Sequence, residues 1–100
     1  MTTIERGHAT RVAEAYEGMV TGTVEAGFPA VALAANSTPV MGGVLVQNSH
    51  TSTNYVTVGN NWNQFVEIAP GGHITIPTID LSQVFVGAAG GATVNWIAMT

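Results

Sequence analysis

The stretch 54–87, "NYVTVGNNWNQFVEIAPGGHITIPTIDLSQVFVG", decides the fold. In "NYVTVG" (54–59), Val56 and Val58 alternate with Tyr55 and Thr57, the period of a strand with one covered face. Asn60–Trp62 turns the chain into "NQFVEIA" (63–69), and Pro70-Gly71-Gly72 is a strong turn signal. "HITIP" (73–77) puts Ile74 and Ile76 on one face, "TIDLS" bends, and "QVFVG" (83–87) reads as strand again. Short strands with turns every eight to twelve residues or so predict a β-sandwich or small barrel.

Towards the N-terminus, "GVLVQN" (43–48) is a continuous apolar run, which predicts a strand covered on both faces, and "SHTST" (49–53) is a loop. Pro29 and Pro39 bracket "FPAVALAANSTPVMGG" (28–43). Proline cannot pair within a central strand, so this part reads as an extended crossing segment with a turn at Asn36–Pro39. Towards the C-terminus, "AAGGA" (88–92) reads as a flexible hairpin tip and "TVNWIAM" (93–99) as the last strand. Trp96 shares a face with Val94 and Ala98 there and is expected in the core.

The composition divides near residue 26. Residues 1–25 hold Glu5, Arg6, Arg11, Glu14, Glu17 and Glu25, leaving only Glu67 and Asp80 charged in the rest. We read 1–25 as an N-terminal arm and 26–100 as the β-sandwich core. Within the arm, "ATRVAEAYEGM" (9–19) supports a short helix, with Val12, Tyr16 and Met19 at helical spacing and Thr10 able to cap. "YEGMVTGTVEA" (16–26) competes as a strand, and its glycines and β-branched residues favour that reading in the later half. Residues before about 10 are expected to gain order only from a partner. The fold class is therefore all-β: a single small β-sandwich or jelly-roll-like barrel with an extended N-terminal arm.

Only 8% of residues are charged, against about 25% in ordinary soluble domains. Lysine is absent, and Thr, Ser, Asn and Gln together number 27, so the exterior must be neutral and polar. Such a surface lacks the charge that keeps free domains apart, and partner chains are expected to cover it. A net charge of −4 with two arginines argues against nucleic acid, whose phosphates need clustered basic residues. The longest apolar stretch, "GFPAVALAA" (27–35), falls short of the roughly 20 residues that span a bilayer. No membrane partner and no secretory signal are expected, and the sequon Asn36-Ser37-Thr38 is read as accidental.

Chemistry-bearing constellations are sparse. His8, His50 and His73 are isolated, without the close ligand spacing of a zinc site, and the chain has no cysteine. Asp80 and Ser82 lie close in sequence, but no nucleophile elbow surrounds the serine. Glu67 and Asp80 read as a solvated strand residue and a turn residue accepting backbone N–H groups. Gly-rich "GAAGGAT" (87–93) lacks the lysine and helix of a phosphate loop. No catalytic, cofactor or metal site is expected. The residues that invite contact are apolar or conformationally free: Tyr16, Met19, Phe28, Trp62, Phe65, Gly90 and Gly91 are the candidate interface. Trp62 or Tyr55 beside Asn60, Asn61 and Asn63 would equally suit a sugar platform, the alternative of a carbohydrate-binding module.

Residues 43–100 carry a pattern of strand, "TVG" end, "APG" turn, short strand, "DLSQVFV" strand, Gly-rich tip and last strand. Its elements are "GVLVQNSHTSTNYVTVG" (43–59), "IAPGGHITIP" (68–77) and "DLSQVFVGAAGGATVNWI" (80–97). It resembles the small β-domain head-decoration or capsid-cementing proteins of tailed bacteriophages. Gly72 and His73 depart from that pattern, in which an acidic residue often follows the Pro-Gly turn. The resemblance implies a non-enzymatic protein on the capsid exterior of the virion, made in the host cytoplasm. It further implies a homo-oligomer, commonly a trimer, that braces neighbouring copies of the major capsid protein. A tail or neck adaptor is the alternative within the same structural class.

Overall fold

In the computed structural model, which describes residues 18–100, eight strands form two antiparallel four-stranded sheets packed face to face. They are β1 (Met19–Ala26), β2 (Val31–Ala32), β3 (Met41–Asn48), β4 (Val56–Gly59), β5 (Val66–Ile68), β6 (His73–Ile76), β7 (Phe85–Gly87) and β8 (Ala92–Met99). A short 3-10 turn, η1 (Leu81–Gln83), precedes β7. The first sheet has the order β1-β8-β3-β6 and the second β2-β7-β4-β5. Only β4 and β5 join as a hairpin within one sheet, and the other connections cross between sheets. This interleaving is the order of an eight-stranded jelly roll.

The alternation written in the sequence builds the core. Val44 and Val46 of β3, Val94 and Ala98 of β8, Val56 and Val58 of β4, and Val86 of β7 point inward and are buried. Leu81 and Ile68 close the space between the sheets, and Ile74, Ile76 and Trp96 pack against this cluster while partly exposed. Trp96 thus faces the core, its indole lying over Gly22 of the paired strand where any Cβ would stand. Its Nε1 is buried there without a hydrogen-bond partner among the described residues.

Three expectations need correction. The run 43–48 is covered on one face only: Val44 and Val46 are buried, whereas Leu45 and Gln47 are exposed. Leucine on an open face mimics a doubly covered strand in sequence. The segment 88–92 is not a hairpin tip, because β7 belongs to the second sheet and β8 to the first. Gly90 and Gly91, at φ 85 and 89, give the chain the left-handed turn needed to pass between sheets. Asn54 Nδ2 ties that turn down by donating to Gly91 O at 2.8 Å. Finally, residues 19–25, read as part of the arm, form most of β1, which pairs with β8 from Met19↔Met99 to Ala26↔Ala92. The strand reading of this segment is the one observed, and the helix reading of 9–17 falls outside the described residues. Proline does what its chemistry requires: β2, which follows Pro29, is a two-residue strand at the edge of its sheet.

Candidate functional site

The β4–β5 hairpin presents the most exposed aromatics of the described residues. Asn60 Oδ1 accepts the backbone N–H groups of Trp62 and Asn63, both at 2.8 Å, and Asn60 N–H donates to Asn63 O at 2.9 Å. This asparagine turn holds the loop while its side chains point to solvent. Trp62 is 83% and Phe65 82% exposed, and Val66 beside them is exposed as well. Between the loop and η1 lies an open groove of about 430 Å³, lined by Asn60, Asn61, Trp62, Ser82, Gln83 and Phe85.

The outer face of the first sheet is a second surface. Strand register sets its side chains in rows: Met19–Met99–Met41, then Thr21–Ile97–Leu45–Thr75, then Thr23–Asn95–Gln47–His73. The polar row is laced together, Thr23 Oγ1 donating to Asn95 Oδ1 at 2.9 Å and Asn95 Nδ2 to Gln47 Oε1 at 3.4 Å. The methionine row is apolar and exposed. A shallow groove of about 430 Å³ follows the polar row, with Leu45, Ile97 and Trp96 in its lining.

Asp80 is the third cluster, and its chemistry is structural. Its carboxylate accepts from Ser37 Oγ, from Thr38 N–H at 2.8 Å, and from Ser82 N–H and Oγ at 2.9 and 2.8 Å. These donors, the Ser37 hydroxyl foremost, hold its carboxyl well below the usual carboxylate range. The group caps η1 and fastens the 36–39 turn to it. Among the described residues no histidine accompanies the Asp80–Ser82 pair. Elsewhere, His50 sits exposed in its loop and His73 on the outer face of the first sheet. Among the described residues no three His, Asp or Glu side chains gather where a metal could be held, and no helix is long and apolar enough to cross a membrane.

The structure spreads the sequence-derived interface candidates over several places instead of one patch. Met19 lies in the methionine row. Phe28, 77% exposed, projects from the bend between β1 and β2. Trp62 and Phe65 share the β4–β5 loop, whereas Gly90 and Gly91 lie in the β7–β8 connection. Tyr16 lies outside the described residues. Sequence reasoning missed Met41, 71% exposed, and Ile79, 76% exposed. For Met41 the available signal was its place beside the paired glycines 42 and 43, where the β3–β8 register shifts. Ile79 stands in a Pro-Thr-Ile-Asp bend, where an apolar side chain has no strand face to hide on.

No protein-family model matches this chain, and a search of curated proteins finds no match either.

Proposed function

We propose that the protein is a non-enzymatic virion structural protein, a capsid decoration or cement subunit that associates with copies of itself and braces neighbouring major capsid proteins. The observation that carries this reading is an exterior with large apolar side chains and almost no charge. Phe28, Met41, Trp62, Phe65 and Ile79 are each more than 70% exposed. Among the described residues Glu25, Glu67 and Asp80 are the charged side chains, and none is lysine or arginine. A buried Trp or Phe contributes roughly 150–250 Å² of contact, so a few such anchors on separate faces let one small domain grip several neighbours. The resemblance over 43–100 is what suggests the capsid exterior as the place and a homo-oligomer, commonly a trimer in the proteins it resembles, as the assembly. A ring-shaped assembly would instead favour a tail or neck adaptor. The jelly-roll order does not choose by itself, since capsid and lectin domains both use it.

Co-sedimentation with shells of the virus's major capsid protein tests the reading. Saturable binding that barely changes over about a tenfold range of ionic strength is expected, because few ions are there to be screened. Absence of binding, or binding abolished by salt, overturns it. The groove beside Trp62 favours one other reading, a carbohydrate-binding module, in which an exposed indole stacks on a sugar ring and Asn61 and Gln83 bond its hydroxyls. A glycan panel whose signal disappears in Trp62→Ala would establish that alternative.

A further inference from the structure

Sheet edges expose unpaired backbone groups, and proteins blunt them with short strands, proline, lysine or bulges. Among the described residues three of the four edges are short: β2 has two residues, β5 three and β6 four. The fourth, β1, is eight residues long, regularly paired to β8 throughout, without proline, lysine or a register shift. Its only charge, Glu25, stands near one end.

The edge is also self-complementary. Residues 20–24 read Val-Thr-Gly-Thr-Val, a palindrome centred on Gly22. We infer that β1 pairs antiparallel with β1 of a second copy about a two-fold axis at Gly22, joining two four-stranded sheets into one of eight strands. Each Val20 then faces Val24 of the second copy, and each Thr21 faces its Thr23. Such β-branched and threonine pairs are favourable neighbours across strands. The two Glu25 carboxylates fall at opposite ends of the ribbon, about 20 Å apart, so like charges do not meet.

The hydrogen-bond parity agrees. Thr100 N–H donates to Gly18 O, which assigns the even-numbered residues of β1 to the bonded pairs with β8. Met19, Thr21, Thr23 and Glu25 therefore turn their N–H and C=O groups to the edge that no described strand covers. In the Gly22-centred register these same residues form the bonded pairs, giving about eight backbone hydrogen bonds, while Gly22 meets its copy in a non-bonded pair. The inference stands on the strand and does not depend on the virion reading. A two-fold contact closes at two copies and is distinct from the trimer implied by the resemblance.

Light scattering of the full chain tests it, with an expected mass of twice 10.3 kDa. Thr23→Pro removes an outward N–H but none bonded to β8, so the circular dichroism of the fold should persist while dimer dissociation strengthens at least about tenfold. A register test is independent of that variant. Thr21→Cys and Thr23→Cys, each oxidised alone, should not cross-link, whereas their mixture should form a disulfide between copies, since the native chain has no cysteine to compete. A mass of one or three copies, an oligomer indifferent to Thr23→Pro, or cross-linking of Thr21→Cys with itself overturns the inference.

Discussion

The side chain of Asn48, the last residue of β3, is fully buried beside the start of β4, and its Nδ2 donates at 2.9 Å to both Asn54 O and Ile68 O. At the other end of β4 the side chain of Asn60 is exposed, and its Oδ1 accepts from two backbone N–H groups. The first asparagine acts as donor and the second as acceptor. Around Asn48 the backbone is also sewn up: its N–H donates to Gly72 O, and Gly71 N–H donates back to its carbonyl. That end binds three loops to one another, and the aromatics its loops leave in solvent, Tyr55 and Phe28, lie apart from the asparagine's contacts. The Asn60 end fixes its own backbone with one side chain and leaves Trp62 and Phe65 in solvent. The buried asparagine is spent on holding loops to one another, the exposed one on fixing a turn whose side chains can be touched.

The same substitution at both ends breaks the comparison most sharply. Asn48→Asp replaces a two-fold donor by oxygen aimed at two carbonyls, in a place closed to water. The expected loss is about 3 kcal/mol or more, seen as a fall in the urea midpoint or in Tm. Asn60→Asp keeps the acceptor that the loop uses and should stay within about 0.5 kcal/mol. Equal effects at the two positions would remove the distinction between donor and acceptor roles.

Gly59 tests how rigidly the exposed end is held. A Cβ there would run into the Asn63 carbonyl, which is backbone and cannot swing away. Gly59→Ala should therefore cost about 1–3 kcal/mol in chemical denaturation. A neutral outcome would mean the hairpin yields freely, and the aromatics would lose their fixed platform.

Asp80 gives a smaller effect with a pH signature. Its carboxyl is held below its ordinary value of 3.8 by the Ser37, Thr38 and Ser82 donors. A depressed folded-state pKa contributes stability that is fully present above the unfolded value and is lost as pH falls through the folded one. The Tm difference between the native chain and Asp80→Asn should be constant from neutral pH down to about 5 and should shrink progressively below about 4. A difference that grows on acidification would reverse the sign and refute the assignment.

Much of this was legible in the sequence. Period-two alternation in 54–59, 73–77 and 93–99 and the turn chemistry of Pro70-Gly71-Gly72 gave strands and breaks close to those observed, and Asp80 accepts backbone N–H groups as a turn aspartate should. The failures share a cause. Which sheet a strand joins is a long-range property, so "AAGGA" read as a local hairpin although it passes between sheets. Leu45 read as buried because apolarity marks coverage only where something does the covering. The composition shift near residue 26 suggested a boundary, but Glu25 lies on an outer face, where its carboxylate accepts from Thr93 Oγ1 at 3.1 Å, and charge there is compatible with a strand. The candidate site was legible only residue by residue. Exposure of Trp62 follows from its turn, whereas the groove it shares with Phe85 and Gln83 depends on a pairing between β4 and β7 that no local pattern contains.

The smallest expected effect on stability falls on the residues with most to offer a partner. Trp62→Ala and Phe65→Ala remove side chains that already stand in water, so burial lost on truncation is slight and each change should stay within about 0.5 kcal/mol. At an interface the same truncations remove desolvated aromatic anchors, whose loss commonly exceeds about 2 kcal/mol, or some thirtyfold in affinity. Denaturation and capsid-shell binding measured on the same variants should therefore separate: stability unchanged, binding strongly weakened. If Trp62→Ala instead lowers stability as much as Gly59→Ala does, the indole is a structural member of the hairpin. The contrast between a sewn end and a displayed end would then fail at the residue that defines it.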